Sequence, residues 1–517
     1  MDTAQRRLKS ISFHILQPEN SFVHGIDSNL LLAFQKPPKS SPFPVVIGGM
    51  VLDIVAKPDT HPYPATTTPG NIEYVSGGVA RNVVECMTKL GSKPFMISVV
   101  GFDMAGELLL KLWESAELPT EAFQKPPKSS PFPVVIGGMV LDIVAKPDTH
   151  PYPATTTPGN IEYVSGGVAR NVVECMTKLG SKPFMISVVG FDMAGELLLK
   201  LWESAELPTE GLLKLKGIST PVVSNIFDCK GELFAGVASV HAVENFLSPD
   251  WIWKFKHYIY SAPILMVDAN LHPESLEAAC QIAAKYRTPV WFEPVSVTKS
   301  ARIASIVDYI TCASPNENEL IAMANALSSQ QRFSFVQRHT NTEKWLPSVQ
   351  SLFDLLKPAI LLLLERGIKL LIVTIGSDGV FVCFRDVADF LKDITMKNKE
   401  EVDHNRQLLK VIKKNCPHHH ESFLRFVQMS SGSFAFHLPA PAASVVSLTG
   451  AGDCLVGGIL SSLCSGLDIM QSAAVGVATA KEAVEAFNNV PVEISLNRIA
   501  SETHKILSAA KQLMFDS

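Results

Sequence analysis

The residues with the clearest chemical potential lie in one segment, SLTGAGDCLVGGIL, at Ser447–Leu460. Within it, Gly450, Ala451 and Gly452 open directly into a helical pattern and so present backbone N–H groups at a helix N-terminus. Such a terminus attracts anions, because the N–H donors and the helix dipole both favour negative charge there. Asp453 follows in the first turn, where a carboxylate could accept the proton from a hydroxyl that attacks a phosphate. The segment predicts a phosphoryl-transfer site, and an ordinary helix cap after a glycine turn is the alternative interpretation.

Three further turns carry polar residues at the ends of predicted strands. The segment Gly166–Gly190 begins with a Gly-Gly turn into a helix and places Asn171 one turn later. The segment SPNENEL places Asn316 and Glu319 on one helical face, a spacing suited to ordering hydrated Mg²⁺ near phosphates. The segment Val373–Gly379, VTIGSDG, is a strand that closes in a glycine turn. Since ligands of parallel sheets bind beyond the carboxyl ends of the strands, we expect these turns to converge on one site.

The elements that must position these turns alternate in type after Pro133. Strands are predicted at Val134–Ile136, Met185–Val189, Leu265–Val267, Val290–Phe292, Tyr309–Ala313 and Leu370–Thr374. Helices are predicted at Val168–Leu179, Ala194–Glu203, Pro273–Lys285, Glu317–Ala326 and Gly452–Gly466. Short apolar strands that alternate with helices predict an α/β fold, with a parallel sheet covered on both faces.

Two regions depart from this rhythm. Residues 148–165, rich in Thr, Pro and Gly, and the alternating strands of residues 222–239 predict a small β lid set off from the main sheet. A charged stretch from about residue 385 to 432 predicts a surface insertion. In that stretch Cys416 and His418–His420 could bind a metal ion, but a solvated loop is the favoured interpretation.

The bulk composition excludes several classes of function. A net charge of −5 and a pI near 6.3 argue against nucleic-acid binding, which needs many Lys and Arg residues to neutralise phosphates. The nine cysteines show no CxxC spacing, so reduced thiols are expected. The most apolar stretch, Pro358–Gly376, contains Glu365, Arg366 and Lys369, which are costly in lipid, so we expect no membrane segment. It predicts instead a helix, a turn at Gly367 and a buried strand.

The chain also repeats itself. Residues Ala33–Glu121 recur without a substitution as Ala122–Glu210, at an offset of 89. Two identical copies do not make a solenoid, which needs at least three similar units, so a recent duplication or an erroneous gene model is indicated. The second copy alone runs on into the predicted lid strands, and short connections between consecutive elements are the rule. We therefore expect residues 122–517 to form the functional domain and residues 33–121 to be redundant and poorly packed.

From about Pro133 onward the chain resembles the ribokinase-like, PfkB-type carbohydrate kinases. Gly166–Gly190 resembles the first signature of that family, and Ser447–Leu460 resembles the second. The resemblance implies a three-layer α/β/α fold with a mostly parallel sheet and a β lid. It also implies ATP-dependent, Mg²⁺-assisted phosphorylation of an alcohol. Ser447 and Leu448 stand where the family usually has Asp-Thr, which leaves activation by a monovalent cation open.

The resemblance also assigns roles to individual residues. Asp453 corresponds to the catalytic base, and Gly450, Ala451 and Gly452 to the anion hole. The implied substrate-binding residues are Asp142, placed at the end of the first strand, with Gly166, Gly167, Asn171 and Asn270. The implied residues for ATP and its phosphates are Asn316, Lys299, Thr374, Gly376 and Gly379. Glu319 would contact Mg²⁺ through water.

Within the family, three short segments are most similar to eukaryotic pseudouridine kinases. They are WFEPVSVTKS at Trp291–Ser300, VDANL at Val267–Leu271 and VVSNIFD at Val222–Asp228. This similarity implies phosphorylation of the ribose 5′-hydroxyl of pseudouridine, giving pseudouridine 5′-phosphate and ADP. The alternatives are a ribokinase, an adenosine or fructose kinase, and a nucleoside-binding protein without turnover. A homodimer through the lid is a further expectation from the family.

The first 32 residues precede any strand signal and are interpreted as a leader or targeting segment. Arg7-Leu8, followed after five residues by His14-Ile15, resembles the bipartite N-terminal signal of peroxisomal proteins. The resemblance implies a peroxisomal location, and a leader on a cytoplasmic enzyme is the alternative.

Overall fold

The structure is a computed structural model, and the chain divides into two compact units, Met1–Asp53 with Val75–Lys125, and Ile54–Tyr74 with Pro126–Ser517. The structure describes residues 45–61, 67–90, 92, 94–98, 109 and 132–515, the last range without 153–154, 229–232, 329–332, 338–347, 389, 392–393, 395–405 and 417–431. The leader sequence and His418–His420 therefore lie outside the described residues. In the described part of the chain, no helix is both long enough and apolar enough to cross a membrane.

The strands are numbered here in chain order. They are β1 (Val45–Ile47), β2 (Val51–Pro58), β3 (Thr67–Gly77), β4 (Phe95–Ile97), β5 (Val134–Ile136), β6 (Val140–Pro147), β7 (Gly159–Gly166), β8 (Phe184–Gly190), β9 (Leu212–Leu215), β10 (Val222–Phe227), β11 (Leu233–Ser239), β12 (Leu265–Asp268), β13 (Val290–Glu293), β14 (Cys312–Ala313), β15 (Leu370–Thr374), β16 (Val380–Arg385), β17 (Ser433–Leu438) and β18 (Lys511–Leu513).

The helices are numbered in the same way. They are α1 (Val79–Lys89), α2 (Val168–Lys178), α3 (Met193–Ser204), α4 (Ala242–Phe246), α5 (Pro249–Lys254), α6 (Lys256–Ser261), α7 (Pro273–Lys285), α8 (Val297–Ser300), α9 (Glu317–Ala326), α10 (Val349–Glu365), α11 (Arg406–Asn415), α12 (Ala451–Cys464), α13 (Ile469–Val484) and α14 (Leu496–Ser508). Side-chain caps fix several of their starts, because the side chains of Asp192, Ser248, Asn316, Asp468 and Ser495 accept backbone N–H bonds of the first turn.

The main sheet of the second unit has the order β18-β17-β16-β15-β14-β13-β12-β5-β8-β9 among the described residues. Strands from β15 through β9 run parallel, and β16, β17 and β18 extend the sheet in antiparallel fashion. Helices α7, α9 and α10 pack on one face, where they enclose a buried cluster that includes Leu276, Leu320 and Phe353. Helix α2 packs on the sheet and lies outside that cluster. Helix α12 packs against α2, and α13 packs against α12. The predicted α/β/α architecture is confirmed.

The lid is a second sheet, with the order β2-β3-β11-β10-β6-β7. The sequence predicted β7, β10 and β11, but it did not predict strand β6. Asp142 was expected at the end of the first strand, which is β5. That position is wrong, because β5 ends at Ile136 and Asp142 lies on β6, opposite Val164 and Val223. A lid strand thus carries the carboxylate toward the site.

The two copies of the repeat enter different structures. Strands β5 and β8 of the second copy lie in the main sheet, whereas β1 and β4 of the first copy pair in parallel with each other and are packed by α1. Part of the first copy belongs to the second unit, and there residues Thr67–Pro69 of β3 pair in parallel with Gly236–Ala238 of β11. The first copy therefore adds β3, with β2 beside it, to the lid sheet next to β11, which the sequence did not predict.

One predicted strand is shorter than expected. Residues 309–313 were expected to form a strand, but only Cys312–Ala313 does so, after a 3₁₀ turn at Val307–Tyr309. The N–H groups of Tyr309 and Ile310 bond locally, to the carbonyls of Ile306 and Val307, and are therefore not available to a neighbouring strand. The predicted helix, turn and strand around Gly367 are observed as α10 and β15, and Gly367 has a φ of 106°.

Candidate active site

The site is built around the start of α12. Gly450 precedes this helix in the left-handed region, with a φ of 82°, which glycine adopts without strain. A Cβ at this position would overlap the carbonyl oxygen of Asn489, so the turn also requires the absence of a side chain. The backbone N–H groups of Gly452 and Asp453 then point out of the helix N-terminus, as an anion site requires.

Asp453 occupies the first turn of α12 and is surrounded by protein without being sealed from solvent. Its Oδ2 accepts a hydrogen bond of 2.7 Å from Nδ2 of Asn171, which is buried in α2. Burial, with a smaller contribution from the nearby carboxylates of Asp268 and Asp142, raises the pKa of Asp453 to about 7, although the hydrogen bond from Asn171 opposes the shift. A carboxylate with a pKa near neutrality is suited to accept a proton and release it again.

A second carboxylate, Asp142, reaches the site from the lid. Its Oδ2 accepts a hydrogen bond of 2.7 Å from Nδ2 of Asn489. Burial raises its pKa to about 6, and the bond from Asn489 and the charge of Arg170 act in the opposite direction. Gly166 lies beside it, because a Cβ there would overlap the Asp142 carboxylate. The structure thus brings Asp142, Gly166 and the turn before Asp453 together.

The Gly-Gly turn before α2 is held by the ends of the neighbouring strands. Gly167 has a φ of 95°, and a Cβ on it would crowd the carbonyl oxygen of Gly138. The N–H of Gly138 in turn donates to Oδ2 of Asp268, at 2.9 Å. Asp268 is fully buried at the end of β12, and burial raises its pKa. The predicted residues Asn270 and Lys299 lie next to it and bond to each other, Nζ to Oδ1, at 2.7 Å.

Four of the residues predicted for ATP and its phosphates, Asn316, Thr374, Gly376 and Gly379, form a second group at the ends of β14 and β15. The fifth, Lys299, lies instead with Asn270 beside Asp268. Asn316 caps α9 by accepting the N–H groups of Asn318 and Glu319, and Oε2 of Glu319 accepts the N–H of Asn316 at 2.8 Å. Thr374 pairs with Asn316 through an isolated bridge, and its N–H donates to the carbonyl of Pro315 at 2.9 Å. One carboxylate oxygen of Glu319 is therefore used by the helix cap. Gly376 and Gly379 follow in the same turn, with φ values of 64° and 102°.

Glu293 is a residue at this edge that the sequence analysis did not select as a site residue. It ends β13, is paired in register with Asp268, and accepts a hydrogen bond from the hydroxyl of Ser314. That hydroxyl also accepts the indole N–H of Trp291 at 2.7 Å. Burial raises the pKa of Glu293 well above its ordinary value, and the carboxylates of Glu319, Asp453 and Asp268 add to this effect.

Asn489 was missed as well. It lies in a loop after α13, where the dipeptide Asn488-Asn489 has no motif spacing, and only its hydrogen bond to Asp142 indicates a role. For Glu293, the position at the end of an apolar strand beside Asp268 would have been a usable signal. In the described part of the chain no three His, Cys, Asp or Glu side chains are grouped so as to hold a metal ion by themselves. Cys416 is buried, and its pKa is raised to about 11 by burial.

Comparison with known proteins agrees with this geometry. The family model of pfkB family carbohydrate kinases matches residues 42–132, 130–394 and 426–491, which is well over half of the chain. This chain belongs to the PfkB family of carbohydrate kinases. It is accordingly a kinase, and the matched ranges cover all of the second copy of the repeat and the first copy from residue 42 onward.

Relatives with described activities lie within the same family. The PfkB chain is 47% identical over 386 residues to the pseudouridine kinase of Arabidopsis thaliana, covering 74% of this chain and 98% of the relative. It is 24% identical to the pseudouridine kinase of Escherichia coli, covering 48% of this chain and 71% of the relative.

Solved structures of similar fold include a putative sugar kinase from Clostridium perfringens. That protein is 18% identical, with a TM-score of 0.53, and the match covers 75% of this chain and all of that chain. Ribokinase from Thermotoga maritima is also 18% identical, with a TM-score of 0.50, covering 72% and 99% of the two chains. These likenesses establish the ribokinase-like fold of the PfkB chain.

Proposed function

We propose that this kinase transfers the γ-phosphoryl group of ATP to the ribose 5′-hydroxyl of pseudouridine, giving pseudouridine 5′-phosphate and ADP. The observation that carries the chemistry is the contact of 2.7 Å between Asn171 and Asp453, beside the Gly450 turn. The choice of nucleoside is supported by the 47% identity to a pseudouridine kinase over 98% of that protein's length.

The proposed mechanism assigns one task to each part of the site. Asp142, held by Asn489, accepts hydroxyl groups of the ribose, and Gly166 and Gly167 allow the sugar to approach the backbone. The carboxylate of Asp453 takes the proton of the 5′-hydroxyl. At the same time the hydroxyl oxygen forms a bond to the γ-phosphorus, and the bond between that phosphorus and the oxygen of the leaving ADP breaks. The N–H groups at the start of α12 stabilise the charge on the transferred group.

ATP would lie along the ends of β14 and β15. Asn316, Thr374, Gly376 and Gly379 line this edge, and their amide and hydroxyl groups are suited to phosphate oxygens. Mg²⁺ commonly binds through phosphates, water and one or two carboxylates. Glu319, whose Oε2 accepts the N–H of Asn316, and Glu293, at the end of neighbouring strand β13, would hold such an ion through water. When bound, Mg²⁺ neutralises charge on the phosphates.

A substrate panel tests the proposal. Purified protein is assayed for ADP release with pseudouridine, uridine, adenosine, ribose and fructose, each with ATP and Mg²⁺. We expect kcat/KM for pseudouridine to exceed the others by at least about tenfold, which corresponds to a difference of about 1.4 kcal/mol in transition-state binding. Preference for ribose, fructose or adenosine would assign a different PfkB activity. Binding of pseudouridine without ADP release would identify a nucleoside-binding protein.

We also propose that residues 1–32 direct the protein to peroxisomes, on the basis of the Arg7-Leu8 and His14-Ile15 spacing. A fluorescent protein fused behind these residues would be observed in cells with a peroxisomal marker. Punctate overlap is expected, and it should be lost on replacement of Arg7 and Leu8 by alanine. A diffuse signal would favour the cytoplasm.

We propose, finally, that no second chain adds a strand to the lid at the edge of β11. The family resemblance predicted a homodimer through the lid, and the edge of β11 is one place where a second chain could add a strand. Residues Thr67–Pro69 occupy that edge here. The molar mass in solution, measured at several concentrations, tests this, and a monomer is expected.

A further inference from the structure

The loop between α13 and α14 contacts the lid, the end of helix α2 and the turn that precedes α12. The Nζ atom of Lys146, on lid strand β6, lies 3.7 Å from the centre of the Phe487 ring. The Nζ atom of Lys178, at the end of α2, donates to the carbonyl of Pro491 at 2.6 Å. Between these two contacts lies Asn489, which is 5% exposed. The loop is therefore fixed to the lid on one side and to the body of the kinase on the other.

Asn489 makes different contacts with its side chain and its backbone. Nδ2 donates to Oδ2 of Asp142 at 2.7 Å and lies 3.4 Å from the carbonyl of Ser165. The backbone carbonyl lies against Gly450, at the one point where a side chain on Gly450 would collide, and accepts a weak bond of 3.6 Å from Sγ of Cys454. One residue thus touches both the sugar-facing carboxylate and the anion-binding turn.

The hydrogen bond has a directional consequence for Asp142. Within the described residues, side-chain bonds to this carboxylate involve Oδ2, so Oδ1 remains available to a substrate hydroxyl. An amide N–H can only donate, which fixes Asp142 as the acceptor in this pair. A buried carboxylate without such a donor would be costly to keep ionised.

We propose that Asn489 is a positioning residue that orients Asp142 for sugar binding and sets its distance from the Gly450 turn. This inference rests on the proposed function, because it takes Asp142 as the contact for the ribose. The side chain should govern the affinity for the nucleoside, whereas the affinity for ATP, which would bind at the ends of β14 and β15, should be nearly independent of it.

The groups that face Asp142 define the expected pH dependence. Arg170 on α2 and Asn489 both lower its pKa, and burial raises it. Asp453 on α12 faces the same space, and the charge of Asp142 contributes to its raised pKa. Removing the Asn489 donor therefore raises the pKa of Asp142, and binding that needs the ionised form should fail at a higher pH than before.

The test uses the full chain with Asn489→Ala, Asn489→Asp and the control Asn488→Ala. Asn488 is the adjacent residue of the same type, and among the described residues its side chain makes no hydrogen bond. We expect Asn489→Ala to raise KM for pseudouridine about 10- to 100-fold, the usual range for a lost bond to a charged group. KM for ATP should change less than about twofold, and Asn488→Ala should resemble the wild type.

Direct binding separates this role from support of the fold. Pseudouridine binding is measured by calorimetry without ATP, in an Asp453→Asn background so that Asp453 does not titrate. With Asn489→Ala, the pH at which binding is lost should move upward. With Asn489→Asp, binding should be weak at about pH 8 and partly recover near pH 6, where two facing carboxylates can share a proton.

Two outcomes would overturn the proposal. One is an equal rise of KM for both substrates, and the other is a lower melting temperature with no change in the pH dependence of binding. If Asn489→Ala does not fold, the isosteric Asn489→Asp variant decides by its pH dependence. Failure of the wild-type protein to phosphorylate pseudouridine would contradict the proposed function instead, and the same variants would then be tested with the substrate it does use.

Discussion

At the scale of single residues, Asp453 joins two properties that a general base needs. Its carboxylate is oriented by Asn171, and its pKa of about 7 lies close to neutrality. Burial and the neighbouring carboxylates destabilise the ionised form of Asp453 and so raise its pKa, and the hydrogen bond from the Asn171 amide limits that rise. The same environment makes the residue costly for the fold.

Replacing Asp453 by Asn should abolish most turnover while it preserves shape. Loss of a general base costs roughly 10² to 10⁴ in rate, so kcat should fall by that factor, while the dissociation constant for pseudouridine changes less than about threefold. Stopped or coupled assays of ADP release, with calorimetry for binding, measure both quantities. Unchanged turnover would remove Asp453 from the mechanism.

The same substitution should raise stability. Because the pKa of Asp453 rises from 3.8 to about 7 on folding, the folded protein binds the proton more tightly than the unfolded chain. The free energy of unfolding therefore decreases as the pH rises from 3.8 to about 7, and above that range the folded protein holds an unfavourable ionised Asp453. Asn carries no charge, so the melting temperature at about pH 8 should increase by a few degrees relative to wild type. A lower melting temperature at that pH would contradict the assigned pKa.

Turnover should depend on pH through the same group. The base must be ionised, so kcat should fall as the pH is lowered through about 7, where Asp453 takes up a proton. A profile of kcat against pH at saturating substrates measures this. An acid limb near pH 4, the ordinary range for Asp, would show that burial does not shift the pKa in the complex.

At the scale of elements, the start of α12 depends on a left-handed glycine in close contact with a loop. Gly450→Ala would add strain at a φ of 82° and a collision with the carbonyl of Asn489. Gly466, at the other end of α12, offers a matched control, because it has a φ of 85° and open space around its Cβ position. Both variants should lose about 1 kcal/mol of stability from the backbone strain.

Only Gly450→Ala should also lose activity. The displaced turn changes the N–H groups and, through Asn489, the position of Asp142, so kcat/KM should fall by at least about 10²-fold, whereas Gly466→Ala keeps it within about twofold. Melting curves and steady-state kinetics of the two variants provide the comparison. An equal loss of kcat/KM in the two variants would mean that backbone strain alone, and not the contact of Gly450 with Asn489, explains the loss.

The sequence predicted those parts of the fold that are set by local patterns. The Gly-Ala-Gly turn, the helix that follows Asn316 and the buried strands each have a signal within a few residues, and they were found. Strand β6 also alternates, since Leu141 and Ile143 are buried, but its Asp and Lys residues obscured the pattern. Asn489 could not be found, because its role arises from a hydrogen bond to a residue 347 positions away.

At the scale of the whole molecule, the two copies of the repeat have identical sequences and different surroundings. Asp142 is held by Asn489, whereas its counterpart Asp53 is exposed on β2. Identical residues thus have different environments, because in the part of the chain that the structure describes it is the second copy that contributes strands to the main sheet. Local sequence alone could not have distinguished them.

Point substitutions can therefore assign the functional copy. Asp142→Asn should reduce kcat/KM for the nucleoside by at least about 10²-fold, because a buried charged hydrogen-bond acceptor is lost. Asp53→Asn should leave it within about twofold, since exposed substitutions away from a site have small effects. Kinetic assays of the two single variants compare them directly. The reverse pattern would mean that the first copy completes the site.

The pairing of β3 with β11 makes the first copy of the repeat an intramolecular competitor for that edge. A segment tethered to its own target is present at an effective concentration in the millimolar range, far above that of a separate protein chain at micromolar levels. Strand addition from another molecule would have to displace it. A polypeptide with one copy deleted would instead leave the Gly236–Ala238 edge unpaired, and unpaired strand edges recruit partners. Repetition of 89 residues thereby exchanges an association between molecules for one within a single chain.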